Sequence, residues 1–328
     1  MSEACRPRIV VTERASESAM ARLAAVGEVE LLSKCDEASL IAAAASADAL
    51  VVRTYSLVNA KVIAAGKAGG RLKVIGRGGV GLDNIDLKAA LDAGITVVYT
   101  PAASTHAVAD LVVGLIVSVQ RRVVENDKAV RAGEFSSIRL VKPKANELRH
   151  QTVGVIGMGR IGTAVGFRLA NGFGTRIIYH DIREIGWLPF PAESKDSHKA
   201  VYAEADVVTM HVPLTKLTRG MIDADALASF KQGAYLINAA RGPVVVPAAL
   251  AEALKSGRLA GAAIDVHDPE PPPADYPLLA APNCVLTAHI GARSPEGLAG
   301  MNDVVDDVVA VLQGKEPNWP AGPELIEC

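Results

Sequence analysis

Short runs rich in valine and isoleucine alternate with stretches rich in alanine and leucine along almost the whole chain. This alternation is typical of βαβ units, in which successive strands join one parallel sheet and helices cover its faces. The runs form two series, first PRIVVTE, EVELLS, ALVVRT, LKVIGRGG and ITVVYTP, then TVGVIGMG, RIIYHD, DVVTMHVP, AYLINAARG, AAIDVH and NCVLTAHIG. The pattern predicts an α/β fold, and 328 residues are enough for two domains.

Composition and charge narrow the class of protein. The formal net charge is −2, without a long block of one sign, so a nucleic-acid partner or an acidic membrane gets no support. The four cysteines, Cys5, Cys35, Cys284 and Cys328, form no CxxC pair, which argues against a zinc or redox site. The N-terminus carries no apolar signal core, and no apolar run is long enough for a membrane span. A soluble, cytoplasmic protein is therefore expected.

Two helices and one loop stand out beside the strand series. A long helix is predicted from Thr105 to Arg121. The last helix should begin at Ser294, an N-cap followed by a proline, and end before Gly314. If this helix returns to the first domain, the second strand series is an insertion into the first. The stretch 184–199 is poorly patterned, and we interpret it as a loop with a short helix.

A glycine motif follows the strand VGVI and begins a helix; it reads Gly157-Met158-Gly159-Arg160-Ile161-Gly162. GxGxxG alone is a weak signal, but the strand before it and the helix after it are the context of a dinucleotide site. The first glycine allows the turn, the second lets the backbone approach the pyrophosphate, and the third allows close helix packing. The phosphates would bind the N–H groups of the helix N-terminus, which makes Arg160 and Ile161 candidate contacts.

The next strand, RIIYH, ends in Asp181. An acid at about this distance from the glycine motif accepts hydrogen bonds from the adenosine ribose hydroxyls. It would also repel a 2′-phosphate, so NAD is favoured over NADP, although Arg183 softens this preference. An ordinary glycine turn is the alternative, but it does not account for the acid.

Three later strand ends carry groups suited to the reduction of a carbonyl. Arg241, in INAARG, can hold a carboxylate with two hydrogen bonds. His289, in LTAHIG, can exchange a proton near neutral pH. Glu270, in DVHDPEP, can fix the imidazole tautomer. Singly, each has an ordinary alternative: a surface charge, a structural histidine or a turn acid. Together, at the ends of strands in one series, they form a candidate catalytic set.

The motifs RGGVGLDNID, VGVIGMGRIG, ADVVTMHVPLT, LINAARGPVV, AAIDVHDPEP and LTAHIGA resemble the D-isomer-specific 2-hydroxyacid dehydrogenase family almost from end to end. Members use an Arg, a Glu and a His in that chain order, matched here by Arg241, Glu270 and His289. The resemblance implies a flavodoxin-like substrate domain of residues 1–101 and 290–328 and an inserted NAD-binding Rossmann domain of residues 102–289. It also implies a homodimer joined through the nucleotide domain. The implied activity interconverts a small D-2-hydroxy acid and its 2-oxo acid, with His289 as acid and base.

The resemblance assigns further cofactor contacts. Asp265 would hold the nicotinamide carboxamide, and Ala239 would line the nicotinamide pocket. Val212 and Pro213 would lie against the adenine side. His211, directly before them, is another candidate cofactor contact, with packing or capping as its alternative.

On the substrate side, the resemblance implies that the backbone around Gly78, Gly79 and Val80 binds the substrate carboxylate. Arg53 ends the strand ALVVRT, and phosphoglycerate dehydrogenases use an arginine in a similar setting for the substrate phosphate. A ligand for a plain carboxylate is the alternative role of Arg53. Arg293 is interpreted either as a positive charge near the pocket or as a surface residue.

The substrate therefore stays open between small 2-oxo acids and, as the alternative, 3-phosphoglycerate. Formate dehydrogenases of this fold carry Gln where Glu270 stands, and phosphite dehydrogenases carry Lys at the position of Val80, so both are disfavoured. A non-catalytic NAD-sensing protein is an alternative of another class, but the Arg, Glu and His set argues for chemistry. The acidic stretch 83–86 is interpreted as a turn before a helix, and no metal is expected.

Overall fold

The computed structural model describes residues 6–142 and 145–326, so Cys5 and Cys328 lie outside the described residues. The chain divides into two compact units. Unit 1 comprises Met1–Ser104 and Ser294–Cys328, and unit 2 comprises Thr105–Arg293. The assignment of substrate to one unit and nucleotide to the other stays a prediction at this point.

Within its described residues, 6–104 and 294–326, unit 1 contains five strands: β1 Arg8–Val11, β2 Glu28–Leu31, β3 Ala49–Val52, β4 Val74–Arg77 and β5 Thr96–Tyr99. They form one parallel sheet in the order β2-β1-β3-β4-β5. This is the flavodoxin-like order, which reverses direction between β1 and β3. Strands β3 and β4 are buried along their whole length, because helices cover both faces of the sheet.

The helices of unit 1, numbered along the whole chain, are α1 Glu17–Val26, α2 Glu37–Ser46, α3 Ala60–Gly69, α4 Leu87–Asp92, α12 Pro295–Asn302 and α13 Val304–Leu312. The prediction of one continuous last helix is wrong, because the chain breaks at Asp303, whose N–H bonds the carbonyl of Gly300 in a tighter turn. Ser294 caps α12 as predicted, with its hydroxyl accepting the N–H of Gly297 at 2.9 Å. After the break, Val304, Val305 and Val308 pack into the core over β1 and β4.

In unit 2, the structure describes seven strands over residues 105–142 and 145–293: β6 Thr152–Ile156, β7 Arg176–His180, β8 Ala192–Ser194, β9 Val207–Met210, β10 Ala234–Asn238, β11 Leu259–Ile264 and β12 Cys284–Leu286. They form a parallel sheet in the order β12-β11-β10-β9-β6-β7-β8. Read from β8, this is the Rossmann order, and it reverses between β6 and β9. Ligands of such sheets bind beyond the carboxyl ends of the strands at that reversal. The predicted α/β class with two Rossmann-like sheets is confirmed.

The helices of unit 2 are α5 Thr105–Gln120, α6 Val123–Arg131, α7 Phe135–Arg139, α8 Arg160–Phe173, α9 His198–Glu204, α10 Ala224–Ser229 and α11 Pro247–Lys255. Helix α5 ends one residue before the predicted Arg121. The stretch 184–199, predicted as a loop with a short helix, contains β8 and the first residues of α9. Strand β8 has only three residues at the sheet edge, too short for a clear apolar alternation. Across residues 6–142 and 145–326, no helix combines the length and apolarity needed to cross a bilayer.

Candidate active site

The GxGxxG motif forms the turn between β6 and α8. Gly157 has φ +91°, and a Cβ at this position would lie 2.6 Å from the carbonyl oxygen of His211, so the turn requires glycine. A Cβ at Gly162 would overlap the carbonyl of Gly157, which explains the close approach of α8. Gly159 is the N-cap of α8 and offers no side-chain cap. The helix N-terminus can therefore accept an external anion, and these residues fit the pyrophosphate of a dinucleotide.

Asp181, directly after β7, is tied to this turn. Its Oδ2 accepts the N–H of Met158 at 2.8 Å. Its Oδ1 accepts the backbone N–H of Arg183 at 2.9 Å and the Nε of Arg183 at 3.3 Å. The side chain of Asp181 is 6% exposed, whereas that of Arg183 is 65% exposed. The acid predicted for the ribose thus lies beside the glycine turn, with a cation next to it.

His211 follows β9 on the other side of the sheet reversal. Its backbone N–H donates to the carbonyl of Ile156, and its Nε2 lies 2.9 Å from the hydroxyl of Thr209. Burial lowers the pKa of His211 to about 3, so the imidazole is neutral at neutral pH. Val212 is half-buried and Pro213 is exposed. His211 packs behind the turn, and its contact with a cofactor stays a prediction, as do those of Val212 and Pro213.

A groove of about 580 Å³ lies beside the glycine turn within unit 2. Its lining residues come from α5, from the turn and α8, and from the segment after β7: Thr105, His106, Met158, Gly159, Arg160, Thr163, Ala164, Phe167, Arg168, Arg183 and Pro189. Arg168 is paired with Asp110 at 2.6 Å, and its Nη2 lies 3.3 Å from Nδ1 of His106. The arginines give the groove a positive character, which suits a negatively charged ligand.

His289 and Glu270 form a hydrogen-bonded pair, with Nδ1 of His289 2.8 Å from Oε1 of Glu270. Burial raises the pKa of Glu270, but the hydrogen bond and the charge of His289, with the backbone N–H of His267, outweigh it and leave the pKa lowered. The ionised carboxylate requires a proton on Nδ1 of His289. Nε2 of His289 is then the nitrogen that exchanges a proton with a ligand.

Asp265, at the end of β11, holds the loop that carries His289. Its carboxylate accepts hydrogen bonds from the hydroxyl of Thr287 at 2.6 Å and from the N–H groups of Ile290 and Gly291, each at 2.9 Å. Its carbonyl accepts the N–H of His289 at 2.8 Å. These bonds hold His289 at φ +51°, a left-handed conformation that costs a non-glycine residue about 1 kcal/mol. Contact of Asp265 with a carboxamide stays a prediction.

Arg241 follows β10 and begins a 3₁₀ turn, Gly242–Val244. The amide Nδ2 of Asn238 donates to the carbonyl of Arg241 at 2.9 Å and holds this loop. Nη1 of Arg241 donates to the carbonyl of Ala240 at 2.7 Å. Ala239 is half-buried and packs against the core shared by β6 and β10. Unit 2 therefore presents Ala239, Arg241, Glu270 and His289 at the carboxyl ends of neighbouring strands.

In unit 1, the predicted substrate loop follows β4. The N–H of Gly78 donates to the carbonyl of Val52 at 3.1 Å, and that of Gly79 to the hydroxyl of Thr100 at 2.8 Å. Within the part of the chain that the structure describes, the N–H of Val80 has no such internal acceptor. Val80 is thus better suited than Gly78 or Gly79 to donate a backbone hydrogen bond to a carboxylate.

Arg77 is a residue that sequence reasoning missed. It is 5% exposed, and its Nη1 donates to the carbonyl of Gly78 at 3.2 Å. A side chain at Gly79, which has φ +137°, would overlap this guanidinium. The signal in the sequence was an arginine before two glycines at a strand end, in VIGRGG. Arg77 brings a positive charge directly beneath the predicted carboxylate loop.

Arg53 ends the neighbouring strand, and its loop is fixed by Asn84, whose amide Nδ2 donates to the carbonyls of Arg53 and Ser56, each at 2.8 Å. Nη2 of Arg53 lies 3.9 Å from the sulfur of Met301. Asp86, in the acidic stretch 83–86, caps α4 by accepting the N–H of Ala89. Arg293 donates its backbone N–H to the carbonyl of Ile290 in a turn. Among residues 6–142 and 145–326, no cluster of three His, Cys, Asp or Glu has metal-binding geometry.

The comparisons with known proteins identify the family. The family model "D-isomer specific 2-hydroxyacid dehydrogenase, NAD binding domain" matches residues 113–291. The glyoxylate reductase of Thermofilum pendens is 37% identical over an alignment of 98% of this chain and 96% of its own length. The chain belongs to the D-isomer-specific 2-hydroxyacid dehydrogenase family. Its members' reaction class, a nicotinamide-dinucleotide-dependent interconversion of 2-hydroxy and 2-oxo acids, is thereby confirmed for this member.

Other family members extend the likeness. The D-3-phosphoglycerate dehydrogenase of Methanocaldococcus jannaschii is 38% identical over 94% of this chain, which spans 58% of that relative. A solved structure from Thermus thermophilus has a TM-score of 0.85 at 38% identity and covers 96% of this chain and 100% of its own. An NADPH-dependent glyoxylate/hydroxypyruvate reductase of Sinorhizobium meliloti, in complex with NADP and malonate, has a TM-score of 0.86 at 30% identity, covering 97% of each chain.

Proposed function

We propose that this family member reduces a small 2-oxo acid to the D-2-hydroxy acid, and catalyses the reverse reaction, with NAD(H) as cofactor. The observation that carries the proposal is the 2.8 Å pair of His289 and Glu270 at strand ends of the unit that holds the glycine turn. A carboxylate that fixes the tautomer of a histidine is the arrangement expected for a general acid and base. The intact pair also argues against a non-catalytic NAD sensor.

In this mechanism, Nε2 of His289 donates a proton to the oxo oxygen during reduction and removes it from the hydroxyl during oxidation. A nicotinamide dinucleotide held at the turn Gly157–Gly162 and by Asp181 would supply the hydride for the oxo carbon, or accept it in the reverse reaction. Glu270 keeps the proton on Nδ1 and stabilises the imidazolium that forms during oxidation. Arg241 holds the substrate carboxylate through its planar guanidinium.

The residues of unit 1 at the end of β4 are suited to binding a substrate carboxylate. We assign the backbone around Gly78, Gly79 and Val80 to this carboxylate, with Val80 as the principal donor and Arg77 as the nearby charge. Arg53 would hold the far end of the substrate. Binding is strengthened because guanidinium groups form charge-assisted hydrogen bonds with anions.

A phosphorylated 2-hydroxy acid, such as 3-phosphoglycerate, is the second candidate substrate. It is favoured by one observation: Arg53 directly follows β3, and Arg77 is the last residue of the adjacent strand β4. A phosphate carries two negative charges, so two guanidinium groups suit it better than they suit a plain carboxylate, which carries one.

For the cofactor, Gly157, Gly159, Arg160, Ile161 and Gly162 would bind the pyrophosphate. Asp181 would accept the ribose hydroxyls, and this supports NAD(H) over NADP(H). Arg183, paired with Asp181 at 3.3 Å, reduces the repulsion of a 2′-phosphate, so we expect the preference to be moderate.

Two further parts of the proposal concern assembly and location. A homodimer joined through unit 2 is supported by the exposed apolar side chains of the α6–α7 segment, Val123, Val130, Phe135 and Leu140. Sedimentation of the purified protein measures this directly. A cytoplasmic location is supported by the thiols Cys35 and Cys284, which are not in disulfides.

The first test is a rate measurement with NADH or NADPH and a panel of glyoxylate, hydroxypyruvate, pyruvate and phosphohydroxypyruvate. We expect turnover of at least one acid with NADH preferred. His289→Ala should lower kcat by about 1,000-fold with NADH affinity unchanged, because it removes the proton donor. Binding of NADH without turnover of any acid would support the sensor instead. A His289→Ala variant with the wild-type rate would exclude the assigned mechanism.

A further inference from the structure

His267 lies where the loops of all three candidate catalytic residues meet. It sits between β11 and Glu270, in DVHDPEP, and is 6% exposed. The sequence motif gives this histidine no evident partner, but the structure supplies several. Its ring packs edge-to-face on Tyr276, with ring centroids 5.6 Å apart.

The imidazole of His267 ties the Glu270 loop to the His289 loop. Its Nε2 lies 2.8 Å from the carbonyl oxygen of Thr287. A carbonyl only accepts, so Nε2 carries the proton and His267 is the donor. Thr287 is two residues from His289, and its hydroxyl donates to Asp265. The hydrogen bond of His267 is therefore a second link between the two loops that the Glu270–His289 pair joins, and it restrains their separation.

The backbone of His267 restrains the third loop. A Cβ at Gly242 would overlap the carbonyl of His267, so the residue after Arg241 is packed directly on the main chain of His267. The backbone N–H of His267 also contributes to the lowered pKa of Glu270. One residue thus contacts the segments that carry Arg241, Glu270 and His289.

We propose that His267 is a positioning residue, whose imidazole donor to Thr287 holds the Glu270–His289 pair in register with Arg241. This inference rests on the proposed function for its kinetic consequences, but the geometry it describes can be tested without turnover. Small displacements of a proton donor from its acceptor are costly, since an error of 1 Å can lower a rate by about 100-fold.

The test compares two variants of the full chain. His267→Phe keeps an aromatic ring against Tyr276 but removes the donor, and His267→Gln keeps a donor amide of similar reach. We expect His267→Phe to lower kcat by about 10- to 100-fold with the dissociation constant of NADH unchanged, and His267→Gln to restore most of the rate. His198→Phe is the matched control, because His198 packs on Tyr202 in another part of unit 2.

A second readout uses the protein without cofactor. Modification of His289 by diethyl pyrocarbonate, followed by peptide mass spectrometry, reports how the imidazole is held, with the exposed His150 as internal standard. We expect the rate of His289 modification to change at least threefold in His267→Phe and to stay near the wild-type rate in His267→Gln. An equal loss of kcat in His267→Phe and His267→Gln, together with a lowered melting temperature, would overturn the proposal. A His267→Phe variant with wild-type kcat and wild-type reactivity of His289 would overturn it as well. If wild-type protein reduced no 2-oxo acid, the proposed function would fail while the reactivity of His289 still decided the role of His267.

Discussion

Two glycine turns, one in each unit, follow a buried parallel strand and yet prepare for an anion in different ways. The turn after β6 leads directly into α8, whose N-cap, Gly159, has no side chain. The turn after β4 is separated from α4, and the N-terminus of α4 is already capped by Asp86. The turn of unit 2 therefore offers helix N–H groups to an anion, whereas the turn of unit 1 offers the N–H of Val80 beside the guanidinium of Arg77.

The residues behind the two turns differ in the same sense. Behind Gly79 lies the guanidinium of Arg77, which is charged at every accessible pH. Behind Gly157 lies the backbone carbonyl of His211. The imidazole of this residue supplies no positive charge at neutral pH, because burial lowers its pKa to about 3. A glycine-rich strand end therefore does not by itself define an anion site. The nearby source of positive charge decides how strongly the anion binds and how far its binding depends on pH.

The sharpest way to break this comparison is to give α8 the cap that α4 has. Gly159→Asp places a carboxylate at an N-cap with φ −74°, which any residue adopts without strain. We expect NADH to bind about 100-fold more weakly, roughly 2.7 kcal/mol, because the new carboxylate occupies the helix N–H groups and repels the pyrophosphate. The melting temperature should not fall, because aspartate is a favourable N-cap.

Titration of NADH fluorescence and thermal unfolding measure these two effects separately. Gly159→Asn is the matched control, with similar size and no charge, and it should bind NADH more tightly than Gly159→Asp. Unchanged NADH affinity in Gly159→Asp would show that the pyrophosphate does not lie at the N-terminus of α8.

The second prediction concerns the guanidinium site of unit 1. Arg53→Met should raise KM for the 2-oxo acid by about 10-fold, near the value of one charge-assisted hydrogen bond. NADH affinity should be unchanged, and stability nearly so, because Asn84 holds the backbone of Arg53. Steady-state kinetics with a plain and a phosphorylated acid make the measurement, and a much larger effect on the phosphorylated acid would favour the second candidate substrate.

Arg22→Met is the control for the loss of one arginine, since Arg22 forms surface ion pairs with Asp303 and Asp306. An equal change of KM in Arg22→Met and Arg53→Met would mean that total charge, not a contact of Arg53, governs substrate binding.

The smallest expected effect comes from His211. Its pKa in the folded protein, about 3, lies below the ordinary 6.5, so the unfolded chain binds a proton that the folded chain does not. The contribution of neutral His211 to the free energy of unfolding is therefore fully present above pH 6.5 and is lost as the pH falls toward 3. Between pH 7.5 and 5.5, the wild type should lose on the order of 1 kcal/mol more unfolding free energy than His211→Gln. Denaturant unfolding at the two pH values tests this; parallel losses in both proteins would mean that His211 is not held neutral.

Much of the fold follows from local pattern. The alternation of valine-rich strands with alanine-rich helices was sufficient for the α/β class, because buried parallel strands and their covering helices each have a characteristic composition. The strand β8 and the break at Asp303 were missed, since a three-residue edge strand and a single tighter turn leave no periodic signal.

The site shows the same division. By itself the sequence determined the glycine turn with Asp181, and it marked Arg241, Glu270 and His289, because such residues at strand ends have recognisable spacing and chemistry. Only the tertiary structure revealed that Asp265 holds the His289 loop, that Arg77 lies beneath Gly79, and that His267 donates to Thr287. These contacts join residues from different strand ends, and their partners are chosen by sheet order and loop packing, which no local pattern encodes.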